Sequence, residues 1–106
     1  MLLDVHERLA LLQMLPDRGN YEALEVIRVT KESLSFSPEE IEILNLRNEG
    51  NRVVWDDKNA NQVVKDVPLD RYITALFRTK ISELQEKEEL TEQTRSLYEK
   101  FILTFK

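Results

Sequence analysis

The spacing of apolar residues changes twice along this chain. It follows a three-to-four-residue period through Ile41, alternates from Ile43 to Arg47, passes through β-branched runs at Arg52 to Trp55 and Val63 to Val67 on either side of the polar loop Asp56 to Gln62, and returns to the helical period from Leu69 onward. The two periods place side chains on different geometries and cannot share one element. The order of the switches predicts an α+β fold that is mainly helical. It comprises an N-terminal helical hairpin, a short helix, a small three-stranded antiparallel sheet and two C-terminal helices, in one domain spanning residues 1–106.

Local start and stop signals set the helices. Asp4 and Glu7 form a capping-box pair, Val5, Leu9 and Leu12 share a face, and Pro16 stops the helix at Leu15. Pro16-Asp17-Arg18-Gly19 is turn chemistry, and Asn20 caps a second helix to about Ser33. In Phe36-Ser37-Pro38-Glu39-Glu40-Ile41, Ser37 is the cap, Pro38 takes the first helical position and Glu40 closes the box. Phe36 and Ile41 stand where a hydrophobic staple would join them.

Three strands follow. Ile43 to Arg47 and Arg52 to Trp55 flank the turn Asn48-Glu49-Gly50-Asn51, and Val63 to Val67 supplies the third. The sheet is expected against the long helix Leu69–Lys87, whose stripe is Ile73, Leu76, Phe77, Ile81 and Leu84. Thr91 caps a last helix with Leu97, Tyr98, Phe101, Ile102 and Phe105 on its apolar face.

The absence of cysteine in a chain of this size favours a reducing, cytoplasmic setting, and no apolar run suits a signal peptide or a membrane span. The formal net charge of −5 opposes a phosphate backbone and suits a basic protein partner.

Catalytic and cofactor chemistry finds little footing. The single histidine, His6, sits in the first turn of a helix and fits a surface role beside a carboxylate. The two glycines, Gly19 and Gly50, cannot build a phosphate loop, and no serine stands in a nucleophile elbow. Asp57-Lys58-Asn59-Ala60-Asn61 opens like a calcium loop, but Gln62 replaces the required glycine and Pro68 the closing glutamate. Neighbouring carboxylates such as Glu39 and Glu40 do not face each other on a helix. The expectation is a non-enzymatic protein without metal or cofactor.

Two surfaces stand out for a protein partner. Between Glu83 and Glu92, Glu83, Glu86, Glu88, Glu89 and Glu92 face only Lys87, a docking point for a basic partner. The C-terminal aromatics, Phe105 among them, suit partner docking or self-association as a homodimer. A nucleic-acid role is the alternative, carried by Arg47 and Arg52 on the hairpin with Trp55 beside them. Interspersed Glu49, Asp56 and Asp57 weigh against it, and a lone Trp beside two valines fits a core anchor.

Leu9, Leu12, Leu15-Pro16 and Gly19-Asn20-Tyr21, followed by Leu34-Ser35-Phe36-Ser37, Leu90-Thr91-Glu92 and Leu97-Tyr98-Glu99-Lys100-Phe101, cover most of the chain. In this arrangement it resembles a group of small bacteriophage- and prophage-encoded proteins that carry no assigned activity. The resemblance implies a phage or prophage setting and an adaptor or inhibitor of a host protein. It implies no site residues.

Overall fold

In a computed structural model the chain forms α1 (Val5–Met14), α2 (Tyr21–Leu34), α3 (Pro38–Leu44), α4 (Arg71–Glu86) and α5 (Glu92–Tyr98). Four short strands accompany them: β1 (Leu2–Leu3), β2 (Arg47–Glu49), β3 (Arg52–Val54) and β4 (Lys65–Asp66). The structure describes residues 1–56, 58 and 63–104. The fold is α+β and mainly helical, as the changes of period predict.

The helices begin where their caps require. Asp4 accepts from the Glu7 amide at 2.9 Å while Glu7 accepts from the Asp4 amide at 3.0 Å. Asn20 accepts from Ala23 N at 2.8 Å, and Ser37 and Glu40 close the reciprocal box on α3. Asp70 caps α4 through Ile73 N at 3.1 Å, which sets the start of that helix just after Leu69. A π-helical turn over Glu99–Leu103 continues α5.

The strands differ from expectation in two respects. First, Leu44 is the last residue of α3 and not part of a strand. Asn45 takes a left-handed φ of 53°, and Leu46 N closes on Ile41 O at 2.9 Å. This is a helix-ending closure that asparagine tolerates well, and it uses the residues that alternate in sequence. β2 therefore starts at Arg47.

Second, the strands form two separate ribbons and not one three-stranded sheet. β2 and β3 make the expected hairpin, with Gly50 at φ 64° in its turn. β4 instead pairs antiparallel with β1, Leu2 opposite Asp66 and Leu3 opposite Lys65. The reason is burial: Leu3 and Val67 both become fully buried in the core that α4 fills with Ile73, Phe77 and Ile81. The β1–β4 ribbon thus packs with the long helix, whereas β2 is exposed along its length.

The main core joins these residues to Leu11, Ile27, Leu34, Leu97 and Phe101. Phe77 and Phe101 meet edge to face, ring centroids 5.7 Å apart. Burying each ring contributes about 2–3 kcal/mol by transfer alone. A smaller cluster of Val5, Leu44 and Val63 lies under the hairpin, with Leu9, Phe36, Leu46 and Trp55 packed against it.

Two charged residues of α1 are also interior. Arg8 and Glu7 have relative exposures of 0% and 1%. Arg8 stands three residues from both Val5 and Leu11, so the helical period alone places it on the inner stripe. It donates from Nε to Leu34 O at 3.1 Å and from Nη2 to Ser35 O. Its fork also grips Glu40, and Phe36 stacks on its guanidinium at 4.0 Å. Ile41, the expected staple partner of Phe36, stays 40% exposed. Glu7 accepts from Lys100 Nζ at 2.7 Å, and the same ammonium donates to Leu2 O at 2.7 Å.

Candidate interaction surfaces

The acidic joint is built by the way α4 ends. Glu88 adopts a left-handed φ of 58°, and Glu89 N donates back to Leu84 O at 2.8 Å. This closure turns the chain sharply, so that Glu86, Glu88, Glu89 and Glu92 all stand exposed around one corner. Glu92 lies 4.0 Å from Arg95. Among the described residues no ion pair engages Glu86, Glu88 or Glu89. The corner is therefore an exposed, mainly negative patch, with Lys87 exposed among the carboxylates.

Beside it runs a groove of about 810 Å3 between α1, the tip of the β2–β3 hairpin and the α4–α5 joint. Leu9, Met14, Val53, Trp55 and Leu84 give it an apolar lining. His6, Gln13, Arg52, Glu89 and Thr94 add polar groups. Local sequence did not signal this groove, because its walls come from segments distant along the chain.

Trp55 is a core anchor, packed on the small cluster, and part of its ring also reaches the groove. Its ring meets that of His6 edge to face at 4.8 Å, so the histidine of α1 packs against the tryptophan as well as facing outward. Among the described residues nothing accepts a hydrogen bond from its buried indole Nε1.

The two arginines of the hairpin differ. Arg47 donates to Glu49 at 3.2 Å and to Asn45 O at 2.9 Å, and lies 3.9 Å from Asp56. Its charge is thereby largely offset within the hairpin. Arg52 is exposed and lines the groove.

The C-terminal aromatic face divides between core and surface. Leu97 and Phe101 are fully buried, Tyr98 and Ile102 partly so, and Leu103 is 47% exposed. Phe105 lies outside the described residues, as do Asp57 and residues 59–62 of the calcium-like loop. Among the described residues no group of three or more His, Asp or Glu is placed to hold a metal ion. No described helix is long and apolar enough to cross a membrane.

Comparison with protein-family models, with curated proteins and with solved structures gives no match to this chain.

Proposed function

We propose that this protein is a non-enzymatic protein-interaction module, docking a basic partner protein at the α4–α5 joint and in the groove beside it. One observation carries the proposal. Glu89 belongs both to the exposed acidic corner and to the lining of the groove that reaches Trp55. A partner side chain that is basic at one end and apolar at the other meets a carboxylate first and an apolar wall behind it. Such an arrangement speeds encounter through charge and holds the complex through burial. Action as an adaptor or inhibitor in a phage or prophage setting is part of this proposal and rests on the sequence resemblance alone.

The test uses the immobilised chain and its Glu86→Lys/Glu89→Lys variant against bacterial lysate. The proposal expects a protein retained by the first at physiological salt and lost from the second. It also expects the purified partner to shift the emission of Trp55, the chain's single tryptophan. Retention that survives the charge reversal, or no retained protein at all, counts against it. A second reading, nucleic-acid binding at the hairpin, draws on Arg52 and Trp55 lining one groove, with Arg47 already engaged. Binding of single-stranded DNA that weakens steeply with salt would favour that reading instead.

A further inference from the structure

A second surface lies between α2 and the segment leading into α4, sharing no residue with the groove beside Trp55. Two depressions of about 410 and 470 Å3 meet there at Val26, which lines both. Ala23, Val29, Pro68 and Leu69 continue the apolar lining, and Tyr72 borders the first depression. Val29 and Tyr72 remain 52% and 47% exposed, so apolar area is left facing water along this trench.

Carboxylates line it, and two cations stand at its margins: Arg28 beside Glu25, and Lys65, whose Nζ donates to Ser33 O at 2.8 Å. Every charged residue lining the two depressions is a carboxylate: Glu22, Glu25 and Asp70. Arg28 takes one oxygen of Glu25 at 3.1 Å, while Glu22 and Asp70 face no cation in an ion pair among the described residues. The nearby arginines, Arg71 and Arg78, line a separate depression that shares only Leu69 with this one.

We infer that this trench is a second docking surface, whose occupant is a peptide segment of a partner protein with apolar side chains flanked by lysine or arginine. The apolar side chains cover Val26, Val29 and Leu69, which is favourable in proportion to the area removed from water. The basic flanks meet Glu22 in one depression and Asp70 in the other, and an acidic peptide is repelled by the same groups. A second copy of this chain is a poor occupant. A two-fold contact through this face would set Glu22, Glu25 and Asp70 against their own equivalents. With the acidic joint elsewhere on the molecule, the chain would present two basic-partner surfaces, the arrangement an adaptor needs.

The experiment titrates the full-length, 15N-labelled chain with the acetylated peptide Lys-Leu-Val-Leu-Lys and, separately, with Glu-Leu-Val-Leu-Glu. The expected result is amide shifts gathered at residues 23–30 and 69–72 with the lysine peptide. The glutamate peptide should bind at least about tenfold more weakly. The E22K/D70N variant should weaken the lysine peptide by about tenfold while its spectrum elsewhere is unchanged, because asparagine caps a helix as aspartate does. Equal response to both peptides overturns the inference, as does no response at millimolar peptide. Shifts confined to the α4–α5 joint, or broadening at residues 23–30 with protein concentration alone, overturn it too. The last result would mean that a second copy covers the trench. Shifts confined to the α4–α5 joint would support the proposed function while overturning this inference, and the other outcomes leave Glu86 and Glu89 untouched, so the two readings fail separately.

Discussion

Arg8 and Glu40 meet through two nitrogens and two oxygens, Nη1 to Oε2 at 2.7 Å and Nη2 to Oε1 at 3.1 Å, across 32 positions of sequence. Glu40 Oε1 also accepts from Ser37 N at 2.9 Å, so one carboxylate both caps α3 and anchors it to α1. The guanidinium is fully enclosed, and two backbone carbonyls take two more of its donors. This fork is a junction of three helices and not a surface ion pair.

Breaking the junction from the arginine side should be costly. Arg8→Ala leaves Glu40 and the carbonyls of Leu34 and Ser35 without their donor, and we expect a loss of about 3–5 kcal/mol in urea unfolding. Arg8→Lys should recover little of that loss, because an ammonium on a flexible stem cannot bridge both oxygens and both carbonyls.

The same pair gives stability a dependence on acid. The hydrogen bond from Arg8 holds the Glu40 carboxyl below its ordinary value of 4.5, against the opposing effect of partial burial. The folded state therefore binds its proton less readily than the unfolded state. The contribution of Glu40 is complete above 4.5 and is lost as pH falls through the lowered folded value. Denaturation midpoints measured from about pH 6 down to about pH 3 should fall, and Glu40→Gln should flatten part of that slope.

The helix starts were legible in sequence and the buried charges were not. Asp4, Asn20, Ser37 and Thr91 cap helices by bonds to residues three positions on, so a short window contains the whole signal. Arg8 depends on Leu34, Ser35 and Glu40, and Glu7 on Lys100 at 93 positions away. The pairing of β4 is hidden for the same reason, since its partner β1 lies at the start of the chain, outside any local window. Of the surfaces, the acidic joint was readable because it is local. The groove at Trp55 and the trench along α2 exist only once distant segments are packed together.

Lys100 and Glu7 should behave as a coupled pair. Among the described residues nothing donates to the buried Glu7 Oε2, so the carboxylate relies on Lys100 and on the Asp4 amide at its other oxygen. Lys100→Ala is expected to cost about 2 kcal/mol, reduced because the lysine is partly exposed. Adding Glu7→Gln should restore part of that loss, and a double-mutant cycle from thermal unfolding measures the coupling.

Glu88 offers the opposite sign. A side chain at φ 58° is strained by its own Cβ, and glycine removes the clash. Glu88→Gly should stabilise the chain by about 1 kcal/mol, read as a rise in melting temperature. Asn45→Gly, at φ 53°, should give less, since asparagine already tolerates that region.

α1 supplies Leu11 to the large apolar cluster and Val5 to the small one, and Arg8 lies between them. The core is therefore divided into a larger and a smaller cluster, with one guanidinium between them. Amide protons of β2, β3 and α3 should exchange with deuterium well before those of α4, through openings that leave Phe77 and Phe101 in place. Loosening the grip of Arg8 should widen that gap in rates, so that the wall of the groove formed by the hairpin comes and goes while the trench along α2 keeps its shape.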